Sequence, residues 1–319
     1  MAWSSVAPWS DPRQVEQDLI ISRAIVDLFS DDMLRKELRF RGGTALNKLH
    51  FPSPLRYSED IDLVRTTAGG IGPILDRIRL VLEPWLGRAA FDQSPVAPKL
   101  RFRVPPEGME DSGPLRLKLE INTSEIEALD GEHLIRFAVD NPWYRGHADV
   151  PTFSLEEMLA TKLRALLQRD KGRDLLDLGH ALNVAPMLDD GRIVRLFLAY
   201  LVKSKVQISR AEAERRMFAK LDDPRFMTDI RPLLPVDIAL RLTDQVIMEH
   251  FAQVFRRLVS LIPGRALGRS QRTAAAPWIS IVLLSAYSCL GRLLAGPPHC
   301  VFPDVGSSDG FGLVPSAAE

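Results

Sequence analysis

The sequence contains little cysteine and no excess of charge of either sign. Its 319 residues include only Cys289 and Cys300, both near the C-terminus, which excludes a disulfide framework or a cysteine-based metal site in the rest of the chain. The 41 basic residues equal the 41 acidic ones, so the overall charge gives no argument for a nucleic-acid partner. The six histidines lack the H-x-x-x-H spacing of metal sites, and no P-loop consensus is present.

The N-terminus also lacks the apolar run of a secretory signal peptide, because Asp11, Arg13 and Glu16 fall where that run would be needed. An apolar run near the C-terminus, Trp278–Leu290, is shorter than the ~20 residues that cross a bilayer. These features predict a cytoplasmic protein with no membrane partner.

The hydrophobic periodicity and the composition of the chain predict an α+β protein in three parts. Residues 1–150 combine helical and strand periodicity, and residues 151–263 have helical periodicity, beginning with a capping box at Ser154 and Glu157. Residues 264–319 are rich in Gly, Ala, Pro and Ser, which predicts a weakly structured extension. Helices are expected at 12–29, 32–37, 44–49, 72–86, from 154, at 173–182, 192–203 and 210–220, and as one long helix from 236; strands are expected at 38–41, 58–64, 99–104 and 115–121.

The most informative segment joins a glycine turn to a strand that carries two carboxylates. It runs from Arg41-Gly42-Gly43-Thr44 to Arg56-Tyr57-Ser58-Glu59-Asp60-Ile61-Asp62. Because alternate residues of a strand share a face, Ser58, Asp60 and Asp62 should point away from the core together. Two acids beside the backbone N–H groups of a helix start are suited to Mg²⁺ and a triphosphate. Each motif alone is a weak signal, and their combination favours nucleotide transfer.

A third acid is expected on a neighbouring strand. In residues 115–121, Arg116, Lys118 and Glu120 share one face, and the alternating leucines share the other. Glu120 could therefore join Asp60 and Asp62 in a metal site. An acid in a K-x-E strand could equally form a surface ion pair.

The two motifs resemble those of the AbiEii/AbiGii toxin branch of the polymerase-β-like nucleotidyltransferases, bacterial toxins usually encoded with an antitoxin. The resemblance implies a polymerase-β-like core followed by a helical domain that completes the active site. It implies Mg²⁺ or Mn²⁺ held by Asp60, Asp62 and Glu120, with an NTP as the substrate. The residues implied in phosphate binding are Gly42, Gly43 and Thr44, with Ser58 and Arg56 as further candidates.

A second region matches the same family. It reads Lys162-Leu163-Arg164-Ala165-Leu166 and then Lys171-Gly172-Arg173-Asp174-Leu175-Leu176-Asp177. The resemblance implies that Lys162 contacts the triphosphate, and that Asp174 and Asp177 position the triphosphate or the acceptor. Lysine is seldom placed on an apolar helix face without a partner. The alternative is a structural ion-pair cluster between two helices.

The resemblance implies a toxin that adds nucleotides to RNA, with the tRNA 3′ end as the expected acceptor, so that translation is blocked. One alternative keeps the same site but phosphorylates or nucleotidylates a protein or a small molecule. Another is an inactive partner that binds RNA or the antitoxin. A basic acceptor surface is expected from five residues, unless these form only a solvated face: Arg39, Arg41, Arg164, Arg169 and Lys171.

Overall fold

The structure, a computed structural model, describes residues 2–94, 96–107, 113–125, 127–223, 226 and 228–268. These residues belong to one compact unit, Met1–Pro277. The division expected near residue 150 therefore falls within a single compact unit, and it stays a prediction. Most of the expected extension, from residue 269 onward, lies outside the described residues.

The elements alternate between helices and short strands in the first half of the chain and are helical in the second. In chain order they are α1 (Pro12–Ser30), α2 (Asp32–Glu37), β1 (Leu38–Arg41), α3 (Gly42–Ala45), a π-helical turn (Leu46–His50), β2 (Asp60–Arg65), α4 (Gly72–Leu86), β3 (Ala90–Asp92), β4 (Lys99–Val104), β5 (Leu115–Asn122), β6 (His133–Asn141), β7 (Tyr144–Thr152), α5 (Leu155–Gln168), α6 (Gly172–Val184), α7 (Asp190–Lys203), α8 (Arg210–Asp222), α9 (Val236–Arg241) and α10 (Asp244–Arg257). This is the mixed α/β fold expected from sequence.

A five-stranded mixed sheet in the order β1-β2-β5-β4-β3 forms the base of the first half. Strands β2 and β5 are parallel, and the other neighbouring strands are antiparallel. Alternation along the strands separates the two faces. One face carries buried apolar residues, such as Ile61 of β2 and Leu119 of β5, and the other carries the charged residues of the motifs.

Local capping explains where several helices begin. The Asp11 side chain accepts a hydrogen bond from Arg13 N at the start of α1, and the Ser154 side chain accepts one from Glu157 N at the start of α5. Each cap satisfies a backbone donor that has no partner within the helix.

Helix α5 packs against α6 and α7, and α10 packs against α6, which places the apolar faces in a common core.

Several elements differ from the sequence-based expectations. Strand β2 begins at Asp60 and not at residue 58, so Ser58 precedes the strand, and the short strand β3 was not expected. The helix expected at 44–49 is divided between α3 and the π-helical turn. Strands β6 and β7 form a separate two-stranded sheet that was not anticipated. The expected long helix from residue 236 was wrong, because it is divided into α9 and α10. Thr243 accepts a hydrogen bond from Val246 N, so its side chain starts a new helix rather than continuing the first.

Candidate active site

Asp62 and Glu120 occupy the same register position on the parallel strands β2 and β5, and Asp60 lies opposite Lys118. Cross-strand partners share a face of the sheet, so the three predicted acids lie on one surface. Strand β1 adds Arg41 beside Asp62. The paired strands thus bring together carboxylates that are about 60 residues apart in sequence.

The glycine turn is built to meet Asp62. Gly42 has φ +84°, and a Cβ there would overlap the Asp62 carboxylate. At Gly43 a Cβ would overlap the guanidinium of Arg56. Both glycines therefore allow a close approach that a larger residue would prevent, and only Gly42 also needs the left-handed backbone.

Thr44 and Ser58 lie beneath this turn and contact each other. The Thr44 hydroxyl is 2.8 Å from Ser58 Oγ and 2.5 Å from the Asp60 carbonyl oxygen. Thr44 is buried, and neither hydroxyl lines the adjacent cavity. In this structure the two side chains fix the start of β2 against α3.

The carboxylate cluster has the chemistry to bind a divalent cation. Burial, followed by the charge of Asp60, raises the pKa of Asp62, so the ionised form of this acid needs a nearby counter-charge. The Lys118 ammonium supplies part of it, at 2.8 Å from Asp60 Oδ2 and 3.5 Å from Glu120 Oε2. Among the described residues, no three potential ligands already converge on one point. A hard cation among these oxygens would take the place of Lys118 as their counter-charge.

A chain of alternating charges runs along the cavity. It connects Arg56, which precedes β2, with helices α5 and α6. Arg56 donates from Nε and from a terminal nitrogen to the two Asp177 oxygens, both at 2.8 Å. Lys162 Nζ lies 2.7 Å from Asp177 Oδ2 and 3.2 Å from Asp174 Oδ1. Arg169 completes the chain with hydrogen bonds of 2.7 and 2.8 Å to Asp174.

These contacts keep both carboxylates ionised. Burial would raise the pKa of Asp177, but the neighbouring charges of Arg56 and Lys162 hold it well below its usual range. The pKa of Asp174 is lowered too, because Arg169 and Lys162 outweigh its burial. Three cations face two acids in this chain, so it retains one net positive charge.

A second cationic group borders the acids. Arg41 and Arg164 both contact Glu125, with nitrogen–oxygen distances of 3.1 Å for Arg41 and 2.5 Å for the shortest Arg164 contact. Their hydrogen bonds and charges hold the pKa of Glu125 below its usual range despite its burial. One carboxylate thus orients two arginines and leaves one net positive charge.

These groups enclose a cavity of about 340 Å³. Gly42, Gly43, Asp62 and Glu120 line one side, and the opposite side belongs to α5 and the residue after it. The cations on its wall are Arg41, Lys162, Arg164 and Arg169. A cavity lined by four cations and by the paired carboxylates Asp62 and Glu120 suits a polyphosphate bound with divalent cations.

The family model for the nucleotidyl transferase AbiEii toxin of type IV toxin–antitoxin systems matches residues 23–257, well over half of the chain. The chain belongs to the AbiEii family. It is therefore a nucleotidyltransferase toxin of a type IV toxin–antitoxin system.

A solved structure shares this fold. The AbiEii-family chain matches MenT4, a nucleotidyltransferase toxin from Mycobacterium tuberculosis H37Rv, with a TM-score of 0.53 and 20% identity over 83% of this chain and 88% of that one. It also matches JHP933 from Helicobacter pylori, with a TM-score of 0.48 and 17% identity over 79% and 94% of the two chains. No curated protein sequence matches the chain.

In the part of this AbiEii-family protein that the structure describes, no helix has the length and apolarity to cross a membrane.

The sequence-predicted residues fall into two groups in this AbiEii-family protein. Gly42, Gly43, Asp62, Glu120 and Lys162 line the cavity. The remaining predicted residues do not line the cavity and lie next to residues that do: Thr44, Arg56, Ser58, Asp60, Asp174 and Asp177.

Lys118 and Glu125 are charged residues of the site that sequence reasoning missed. Lys118 shares the strand face of Glu120, so the K-x-E pattern carried the necessary signal. Glu125 follows β5, and no sequence motif marks it as the common partner of Arg41 and Arg164.

Proposed function

We propose that this toxin transfers a nucleoside monophosphate from an NTP to RNA, specifically to the 3′ end of tRNA, and thereby blocks translation in the cytoplasm. The observation that carries the proposal is the pairing of Asp62 with Glu120 across β2 and β5, at the edge of a cation-walled cavity. This arrangement supports a donor triphosphate on the cationic side and an acceptor hydroxyl on the acidic side.

The cationic wall holds the triphosphate in this proposal. Arg41 and Arg164 are already oriented by Glu125, and Arg169 is oriented by Asp174. Such pre-positioned donors need little reorganisation when the phosphates bind. Lys162 adds positive potential from below while it remains bound to Asp174 and Asp177.

The acidic side holds the metal and aligns the acceptor. Asp60, Asp62 and Glu120 would hold Mg²⁺ or Mn²⁺, which in nucleotidyl transfer stabilises the attacking and leaving oxygens. Glu120 receives the proton of the acceptor hydroxyl. The acceptor oxygen then forms a bond to the α-phosphorus, and the bond from that phosphorus to pyrophosphate breaks.

Four α-³²P-labelled NTPs, each incubated with the protein and purified tRNA, total RNA or total protein, test this proposal. We expect label at the 3′ end of RNA with one or more of the NTPs, and no label with Asp62→Asn. Label in protein would favour the protein-modifying alternative. No transfer with any NTP or acceptor would favour an inactive binding partner.

A further inference from the structure

Two arginines face each other on the exposed surface of the sheet, next to the carboxylate cluster. Arg103 of β4 lies opposite Arg116 of β5, and both side chains are exposed. The adjacent register pair, Arg101 with Lys118, is also made of like charges. We call Arg103 and Arg116 the arginine pair.

Like charges directly opposite each other on neighbouring strands destabilise a sheet. Arg101 is compensated by Asp92, at 2.8 Å, and Lys118 by Asp60, also at 2.8 Å. The arginine pair, by contrast, makes no ion pair with any of the residues that the structure describes. Glu59 lines the same cavity as Arg116 and attracts its charge, but the two side chains are not within ion-pair distance. The sheet thus exposes two adjacent charges whose natural complement is an external anion.

The arginine pair lies in line with the reacting groups. Arg116, Lys118 and Glu120 follow one another on the same face of β5, and alternate residues of a strand are ~7 Å apart. The surface therefore runs from the arginine pair, past Asp60 and Lys118, to Asp62 and Glu120. An elongated ligand with its end at Glu120 could extend along this line.

The opposite side of the acids is already enclosed. Lys162, Arg164 and Arg169 form the cavity wall there, and each is held by a carboxylate. Arg41, Arg164 and Arg169, which were expected from the sequence to form a basic acceptor surface, thus line the nucleotide cavity. An acceptor strand must then leave the acids over another surface, and the β4–β5 face is positively charged.

We propose that the exposed face of β4 and β5 binds the phosphate backbone of the acceptor nucleic acid through the arginine pair and leads its 3′ end to Asp62 and Glu120. This inference rests on the proposed function. Nucleic acid is favoured over an acidic protein because the surface ends at the site of transfer, where a strand terminus must be delivered. Contacts to phosphate position a strand without reading its sequence, so this surface sets the direction of approach.

The first test measures RNA binding without nucleotide. A 5′-fluorescein-labelled, 12-nucleotide single-stranded RNA is titrated with the full chain at several KCl concentrations, and the affinity is measured by fluorescence anisotropy. The double variant Arg103→Gln/Arg116→Gln should bind more weakly. The logarithm of the association constant decreases linearly with the logarithm of the KCl concentration. The magnitude of this slope should be smaller by about 1.4 in the double variant, since each phosphate contact to a single strand contributes about 0.7.

The matched control is Arg136→Gln/Arg145→Gln, which removes two exposed arginines from the β6–β7 hairpin. It should leave both the affinity and the slope unchanged. Thermal unfolding of the arginine-pair variant should show no loss of stability, because the change removes a like-charge contact. Equal slopes for wild type and the arginine-pair variant would overturn the proposal.

The second test separates this surface from the reaction itself. In the arginine-pair variant the KM for RNA should rise at least tenfold, and the KM for NTP should stay within twofold of wild type. A similar rise in both constants would overturn the proposal, as would binding of an acidic peptide, poly-glutamate, with the same dependence on the arginine pair. If the arginine pair governs RNA binding but wild type transfers no label, the surface is supported and the proposed function fails.

Discussion

Asp62 packs so closely against Gly42 that a Cβ at position 42 would overlap its carboxylate. The backbone of Gly42 also has φ +84°, a conformation that L-residues seldom adopt. The glycine turn and the carboxylate strand are therefore one geometrical unit. This relationship gives the turn a structural reason to contain glycine at this position, whatever the turn binds.

Gly42→Ala should abolish transfer and destabilise the protein. It adds backbone strain of ~1–2 kcal/mol, and it also displaces Asp62. Gly131→Ala is the control, because Gly131 has φ +85° and open space around its Cβ position. Urea unfolding and single-turnover transfer assays on both variants separate strain from displacement. Similar activities in the two variants would show that the contact with Asp62 is unimportant.

Asp62→Asn should reduce transfer by at least ~100-fold while the melting temperature stays equal to that of wild type or rises. The stability expectation follows from the raised pKa of Asp62, whose charge is disfavoured by burial and by Asp60. The control is Asp140→Asn, which removes an exposed acid of the hairpin. A large loss of folded protein in Asp62→Asn would contradict the electrostatic argument.

Lys162→Ala should lower the free energy of unfolding by about 3–5 kcal/mol, because it removes a buried partner of Asp174 and Asp177. Lys203→Ala, which breaks an exposed pair with Glu127, should change it by less than ~0.5 kcal/mol. Nucleotide affinity, measured per folded molecule, then decides the role of Lys162. A weaker affinity supports a contribution to NTP binding, and unchanged affinity with reduced stability identifies a purely structural residue.

The free energy of unfolding should fall as the pH drops from about 6.5 towards 4. Burial, reinforced by nearby histidine charge, lowers the pKa values of His50 and His250 to about 4. Both residues thus stay neutral in the folded protein over a range in which the unfolded chain binds protons. Each should contribute a slope of up to ~1.4 kcal/mol per pH unit there.

Urea titrations at pH 7.5, 6, 5 and 4.5 measure this slope, and it should decrease in His50→Gln and in His250→Gln. A free energy of unfolding that is constant between pH 6.5 and 4.5 would be inconsistent with neutral buried histidines. The lowered pKa values of Asp174 and Asp177 act separately, since their contribution is lost only below the ordinary carboxylate pKa of ~4.

Much of the fold could be predicted from local sequence signals. Asp11 and Ser154 cap the helices that they were expected to start. The alternation around Asp60 and Glu120 predicted which face of each strand is polar, and Glu120 was expected on a neighbouring strand, but the parallel direction of the two strands was not predicted. Register depends on tertiary pairing, so Asp62 could not be matched with Glu120 in advance.

Other features were harder to predict for specific physical reasons. The β6–β7 hairpin carries alternating apolar residues at Ile135, Phe137 and Val139, a usable strand signal, but Pro151 weakens the pattern of its second strand. The unusual position of Lys162 on an apolar helix face was recognised. Its partners, Asp174 and Asp177, belong to the next helix and became clear only from the packing of α5 on α6.

The buried charge chain also joins parts of the protein that are synthesised far apart in time. Arg56 is 2% exposed, and its counter-charge, Asp177, is encoded 121 residues later. A ribosome that has produced only the first 150 residues has made Asp60, Asp62 and Glu120 but not Asp177, the partner that lets Arg56 remain buried beneath Gly43. We therefore expect the site to form only after α6 has left the ribosome, because Arg56 needs Asp177 to stay buried.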